Sequence, residues 1–458
     1  MSSSSAVTEA PDPRGGALPG TLPRLLAGIP PEGAMSLEEH LAVHGPLPEL
    51  GGGRRRDRDE GARLVEEIER AGLLGHGGAA FPTARKMRAV AAARGRAIVV
   101  ANGAEGEPAS RKDRTLMASL PHLVLDGASL AATAVGASEA IVCVCGSAPA
   151  SLQALNGALE ERELRPDPRR STSIRLAEVP GDYVAGEESA LLKHLAGGAA
   201  TPTFRPPMPY EQGLRRRPTL IQNVETLAHI ALIARHGAAW FRRLGTASEP
   251  GSALVTLSGP VAHPGVYEIE HGASLSSLIE AGGGATAGFR GALLGGYGGS
   301  WIAAERLHGV ALSNEHLAAH GASLGAGVVL LLSDEACPVA ETARVARWLA
   351  LQSAGQCGPC VHGLDSLAAT LAQIATGSAP AKAGARIERL AALVSRRGAC
   401  GHPDGAVSLL LSALESFSVE FADHARHGAC ERCASPSELP LPRRSQAKAE
   451  PSTRGPFA

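Results

Sequence analysis

Aromatic residues are scarce, with seven Phe, four Tyr and three Trp in 458 residues. The core must therefore be built from Ala, Val, Leu and Ile. No run approaches eighteen consecutive apolar residues, so no transmembrane helix is expected. A strong net charge is also missing. The formal value is −1, which excludes a basic field for nucleic acid or an anionic membrane. The first residues, Met1-Ser-Ser-Ser-Ser-Ala6, lack the basic and apolar regions of a signal peptide. A cytoplasmic protein is expected, and its eight cysteines are then thiols or metal ligands rather than disulfides. The length leaves room for two to four domains.

Glycine, by contrast, is abundant, with 55 residues. One stretch organises the rest: Gly75-His-Gly-Gly-Ala-Ala-Phe-Pro-Thr-Ala-Arg-Lys86. Gly75, Gly77 and Gly78 let the backbone come close to a ligand. Consecutive free N–H groups, a helix start and Lys86 make an anion cradle suited to a phosphate-bearing cofactor. A plain surface loop is the competing reading of this stretch taken alone.

Strand–turn–helix alternation runs over residues 60–240. Helical spacing of Leu64, Val65, Ile68 and Ala71 ends at Gly72, after a polar break at residues 51–57. Ala97–Ala101 reads as a buried strand running into Asn102-Gly-Ala-Glu-Gly-Glu-Pro108. An Asn and two Glu at the carboxyl end of a strand occupy the place where open α/β sheets bind ligands. Two acids beside a phosphate cradle suit a ribose hydroxyl or an amide better than phosphate. One long helix is expected over Asp113–Val135, then strands at Ala140–Cys145 and Ser173–Val179. Cys143 and Cys145 read as small core residues. Gly186-Glu-Glu-Ser189 sits at a helix start, where the dipole alone favours acids. Residues 213–226 lead into a helix ending near His236. This alternation predicts a Rossmann-like α/β domain.

From Gly251 the pattern changes to short strands around one helix, which suggests a small β-grasp domain. From Pro338 it turns helical, with a last helix expected over Ala406–His424. Cys357-Gly-Pro-Cys360, at a helix–loop junction, and Cys400 could share one ion or cluster, and cysteine thiolates are the usual ligands of iron–sulfur clusters. A fourth ligand could come from Cys337, Cys430, Cys433 or His362. A zinc site of Cys357, Cys360, Cys430 and Cys433, or a redox dithiol at Cys357/Cys360, also fits the spacing.

Together these motifs resemble the NADH-binding flavoprotein of respiratory complex I (its F subunit, 51-kDa type) and its relatives in soluble hydrogenases and formate dehydrogenases. The likeness covers about residues 22–425. Gly75–Met87 resembles the family's GRGGAGFPTGxKW, Asn102–Pro108 its NADESEP, and Gly186–Ser189 its GEET. Arg205–Pro209 resembles KPPFP, Pro218–Thr226 PTxVNNVET, and Ser353–Cys360 SCGxCxPC. Residues 251–335 resemble its soluble-ligand-binding β-grasp domain.

The resemblance implies an FMN-dependent NADH dehydrogenase that passes electrons through a [4Fe–4S] cluster to a partner. It places Gly75, Gly77, Gly78 and Lys86 on the FMN phosphate and ribityl chain, and Asn102, Glu105, Gly186, Glu187 and Asn223 around the flavin. Phe81, Glu107, Glu188 and Arg205 would face NADH, with Glu107 and Glu188 in the catalytic role. Cys357, Cys360 and Cys400 would be cluster ligands. A thioredoxin-fold subunit carrying iron–sulfur clusters is the implied partner, and a peripheral place on a membrane complex becomes an expectation.

Departures from the family pattern include His76 for arginine, Ala104 for Asp, Gln222 for Asn, Met208 and Ala89 for aromatics, Ala354 for the first cluster cysteine, and Arg205 for lysine, which keeps the positive charge. Two lost adenine-stacking rings would weaken NADH binding by about 2–6 kcal/mol, at roughly 1–3 kcal/mol per ring. A weakened flavin-binding or scaffold subunit is therefore the alternative.

The expected domains are a disordered tail (1–20), an α/β FMN/NADH-binding domain with its N-terminal extension (21–250), a β-grasp domain (251–335), an iron–sulfur-binding helical bundle (336–433) and a disordered tail (434–458).

Overall fold

The computed structural model describes residues 14–17, 23–48, 54–165, 172–380 and 382–442. Its strands are β1 (Arg14–Ala17), β2 (Ile98–Gly103), β3 (Glu139–Cys145), β4 (Ser173–Val179), β5 (Thr219–Asn223), β6 (Ser252–Ser258), β7 (Gly265–Glu270), β8 (Phe289–Leu294), β9 (Ser300–Ala303) and β10 (Val328–Ser333).

The first sheet has the order β4-β3-β2-β5, and every pairing in it is parallel. Its central strands are buried almost throughout, as a parallel sheet covered on both faces requires. On one face the helices Arg54–Ala71, Pro121–Ala134 and Val224–His236 bury Ile68, Leu123 and Ile230. On the other, Ile98, Val100, Ile141 and Leu191 make a smaller core.

Three local expectations need correction. β5 is a strand where residues 213–226 read as a lead into a helix. It is five residues long between Pro218 and a helix start, too short to show a period. The helix expected over 113–135 breaks at Leu120 (φ −128°, ψ 50°). Pro121 lacks an N–H and pushes the preceding residue out of helical geometry. The polar break at 51–57 ends sooner than expected, because a helix starts at Arg54.

The second sheet has the order β1-β7-β6-β10-β8-β9. β6 and β7 form an antiparallel hairpin, and helix Leu275–Ala281 follows. β10 returns parallel to β6 and antiparallel to β8. This is the β-grasp arrangement expected for 251–335. β1 adds to its edge in parallel with β7, so part of the expected 1–20 tail is a strand. The rest of that tail lies outside the described residues.

Helices Pro338–Leu351, Asp365–Ala375, Ala383–Val394, His402–Ser416 and Ser418–His427 form the third layer. The last two replace the single helix expected over 406–424, with an 82° bend at buried Phe417, whose ring meets Trp301 edge-on. Residues 434–442, expected to open a disordered tail, lie against this layer with Leu439 only 3% exposed. Residues 443–458 lie outside the described residues. Among the described residues no single helix is long and apolar enough to cross a membrane.

Candidate flavin and iron–sulfur sites

Gly72 (φ +73°) caps helix Arg54–Ala71 by donating its N–H to Ile68 O, and the chain turns at once into the glycine loop. Leu74 pairs with Pro82, and Gly75 N donates to Phe81 O at 2.9 Å, so the loop closes on itself before helix Thr83–Ala92 begins. Gly78 holds φ +102°. A Cβ at Gly77 would already touch Asn223. The loop therefore lies directly against the end of β5. Lys86 stands in the first turn of the helix. The Phe81 ring is 45% exposed, with Arg85 5.7 Å from its centroid.

Asn102 and Asn223 are register partners at the carboxyl ends of β2 and β5. Asn102 Nδ2 donates to Gly186 O at 2.9 Å, and Asn223 Nδ2 donates to Asp113 Oδ2 at 2.7 Å. Gly186 has to be glycine, since a Cβ there would lie 2.6 Å from Ala104 O. Glu187 caps helix Glu188–Leu195 by accepting Ser189 N and Ala190 N. Arg205 reaches Glu187 at 2.7 Å and Glu188 at 3.4 Å. Lys86 pairs with Glu188 and donates to Ile221 O of β5 at 3.0 Å. Gly77, Lys86, Asn102, Gly186, Glu187, Glu188, Arg205 and Asn223 thus close a ring at the sheet's carboxyl edge. The four charged members stay partly exposed, so their pairs are weak and can be remade around a ligand.

Glu105 and Glu107 are not joined to that ring. Glu105 accepts the Ser110 hydroxyl, Asp113 N and Arg114 N, capping helix Lys112–Ser119. Glu107 accepts Tyr297 N at 2.8 Å and Ala109 N at 3.1 Å, and the Tyr183 hydroxyl bonds it as well. Tyr183 packs edge-on against Trp348. Glu107 therefore sits where the three domains meet. Burial pushes its carboxyl up to about 7, against the opposing pull of the Tyr297 and Ala109 N–H bonds.

Beside the ring lies a buried charge cluster that the motifs alone did not single out. Lys112 Nζ contacts Asp113 Oδ1 at 2.7 Å and Glu225 Oε2 at 2.8 Å. Glu225 Oε1 accepts Leu254 N of β6 at 2.8 Å and faces His76 Nδ1 at 3.1 Å. Burial works against the Glu225 anion, yet Lys112 and then His76 outweigh it and hold its carboxyl below the usual range. His76 also packs against His229 and His271. Burial pushes the His271 imidazole down to about 4. A small cavity of about 40 Å³ between the glycine loop and the β-grasp domain is lined by His76, Lys112, Glu225 and His271. The visible signal is the Arg111-Lys-Asp-Arg114 charge run just before an apolar helix.

Cys360 lies in a π-helical turn, Pro359–Leu364, a geometry frequent at functional sites. Its thiol is pushed up to about 11, first by burial and then by Cys357 and Cys400, against a hydrogen bond with Ser353. The three thiols are thus close enough to act on one another. Cys400 also feels the Glu187 carboxylate, which helps raise its thiol after burial, so Cys400 lies near the ring of residues at the sheet's carboxyl edge. Ala354 contributes only a methyl group. Cys337, Cys430 and Cys433 gather with His424 in a group of their own. His362 is exposed. Cys143 and Cys145 are buried core residues.

A parallel sheet with a glycine cradle at its carboxyl edge, and a helical domain bringing three thiols to that edge, define a mononucleotide-binding electron-transfer protein. Residues 68–232 match the Nuo51 FMN-binding domain, 254–293 the SLBB domain, and 340–424 the NADH-ubiquinone oxidoreductase-F iron–sulfur binding region. The chain is 33% identical over 401 residues to the NADH-quinone oxidoreductase F subunit 2 of Rhizobium meliloti (strain 1021), covering 83% of this chain and 94% of that one. It is 30% identical to the NADP-reducing hydrogenase subunit HndC of Solidesulfovibrio fructosivorans, over 81% and 77% of the two chains. A crystal structure of NAD+-reducing [NiFe]-hydrogenase in the H2-reduced state matches with TM-score 0.75 at 32% identity. That match covers 80% of this chain and 63% of the hydrogenase chain. The chain belongs to the family of NADH-quinone oxidoreductase F subunits.

Proposed function

We propose that this chain is an NADH:acceptor oxidoreductase subunit that takes electrons from NADH and hands them to an iron–sulfur partner. The closed ring at the carboxyl ends of β2 and β5 carries this reading. FMN bound there would accept a hydride as two electrons and release them singly. Loop N–H groups from Gly75 to Gly78, with Lys86, suit its phosphate. Asn102 and Asn223 suit the flavin edge, and Gly186 keeps the backbone clear of it. The exposed Phe81 ring, Glu188 and Arg205 remain for the nicotinamide nucleotide. Glu105 and Glu107 act here as positioning residues, the first on the Lys112 helix and the second on the domain junction.

Cys357, Cys360 and Cys400 give thiolate donors of the kind iron–sulfur clusters use, and one ligand position of a [4Fe–4S] cluster would fall to a non-cysteine group. Cys400 lies near enough to Glu187 to feel its charge, so the thiols that would hold the cluster border the edge that would hold the flavin. A partner of thioredoxin fold, in a cytoplasmic or membrane-peripheral complex, completes the electron path.

A weakened or scaffold subunit is the second reading, favoured by Ala354 in place of a fourth cysteine. Anaerobic purification and a visible spectrum before and after NADH separate the two. Flavin bands that bleach on NADH, above a broad cluster absorbance, support the oxidoreductase. Flavin bands that persist, or a colourless chain that neither FMN nor iron reconstitutes, support the scaffold.

A further inference from the structure

We infer that Cys337, His424, Cys430 and Cys433 form a structural zinc site, separate from the iron–sulfur thiols, that pins residues 430–442 to the helical domain. The four ligand atoms all lie within 4.8 Å of one another. His424 Nε2 is 3.5 Å from Cys337 Sγ and 3.8 Å from Cys433 Sγ, and Cys433 Sγ is 3.4 Å from Cys337 Sγ and 3.6 Å from Cys430 Sγ. Zinc–sulfur bonds of about 2.3 Å and zinc–nitrogen bonds of about 2.0 Å place tetrahedral ligands roughly 3.5–3.8 Å apart. The observed edges match that tetrahedron. They are too long for a disulfide, whose sulfurs sit about 2.05 Å apart. They are also too compact for a cluster, in which each cysteine binds a different iron.

The ligands come from places that fix them. Cys337 caps helix Pro338–Leu351 and its sulfur accepts Ala340 N at 3.4 Å, a helix N-terminus that favours thiolate. His424 stands in the last turn of helix Ser418–His427, with Nδ1 buried and without a hydrogen-bond partner. Cys430 and Cys433 supply a local C-x-x-C across one short turn. Cys337 and His424 are 2% and 4% exposed, and the other two are half-buried at the rim. Four protein ligands with no open position make a closed, structural site, and three thiolates with one imidazole suit zinc.

Downstream of Cys433 the chain is tied back repeatedly. Arg344 donates to Cys433 O and Ser435 O, Ser437 donates to Glu341, Glu438 accepts from Ser333, and Tyr297 donates to Pro440 O. The ion would be the first of these fastenings. Three of its ligands lie outside residues 340–424, the stretch that matches the iron–sulfur region.

The test uses the full chain, purified anaerobically, with zinc and iron counted separately. About one zinc per chain is expected, and cobalt added after chelation should give the intense visible bands of tetrahedral thiolate coordination. The double substitution C430S/C433S should remove the zinc and leave the iron unchanged. H424C should keep one ion and shift the cobalt bands toward an all-thiolate spectrum. If C430S/C433S does not fold, the cobalt spectrum of the unaltered chain decides alone. No zinc and no cobalt bands would overturn the site. So would iron in place of zinc, or zinc lost on C357S but kept in C430S/C433S.

Discussion

Lys112 Nζ lies 2.8 Å from Glu225 Oε2, with only 5% and 1% of the two side chains exposed. The pair joins the helix after the Asn102 loop to the helix after β5, and Glu225 carries the link onward to Leu254 of the β-grasp domain. Removing the cation leaves Glu225 and Asp113 buried, with only His76 and the Asn223 amide to offset them. Breaking such a pair costs about 3–5 kcal/mol. K112M should therefore lower the urea midpoint strongly. Adding E225Q to K112M should recover part of the loss. Additive losses in the double variant would mean that the two side chains are not coupled.

Glu107 sets a pH dependence of its own. Burial raises its folded value to about 7, above the ordinary value of 4.5 in the unfolded chain. The protonated form is thus the one the fold favours. Its stabilising share is complete below about pH 4.5 and is lost as pH rises through about 7. Compared with E107Q, the native chain should lose on the order of 3 kcal/mol across that window. Urea denaturation of both proteins from pH 4 to pH 8 checks this. Parallel stability curves would place the Glu107 carboxyl in a solvated setting.

The parallel sheet and the β-grasp domain are legible in the sequence chiefly through β2, β3 and β10, short buried apolar runs. β5 is not, since five residues between a proline and a helix carry no period. Lys86, Asn102 and Asn223 are legible as motif members, and the fold brings them to one edge. Glu105 and Glu107 are legible as acids at a strand end, and their carboxylates are taken up by a helix start and by Tyr297 N. Acids after a strand signal a ligand, but here the same loop must also cap a helix and meet a second domain. Cys337 is legible only as a spare thiol for the cluster and His424 not at all, because 87 residues separate them and only the fold brings them within reach of Cys430 and Cys433.

Ala354 occupies the first cysteine position of the iron–sulfur motif, next to Ser353, whose side chain bonds Cys360. The neighbouring Gly355 already holds a positive φ, so the loop geometry does not depend on what residue 354 carries. A354C should add a fourth thiolate to the three that converge. Iron per chain in anaerobic preparations should rise toward four, and the visible cluster absorbance should survive air for longer. Iron content unchanged by A354C would place the missing ligand elsewhere than in this loop.

On the proposed function, Lys86 and Phe81 would separate flavin binding from nicotinamide binding within one loop. The Lys86 ammonium stands at the glycine cradle and is held by Glu188 and Ile221 O. A charge-assisted bond to phosphate contributes about 1.5–3 kcal/mol, so K86A should weaken FMN binding by roughly 10- to 100-fold. The Phe81 ring is 45% exposed, with Arg85 5.7 Å from its centroid. F81A should keep FMN but weaken NADH by about 1–3 kcal/mol, the worth of one stacked ring. Glu188 links the two halves by pairing with both Lys86 and Arg205. E188A should retain flavin absorbance while slowing its bleaching by NADH. Flavin titration followed by stopped-flow reduction measures all three variants. NADH oxidation unchanged in K86A and E188A together would show that the electron donor binds away from this edge of the sheet.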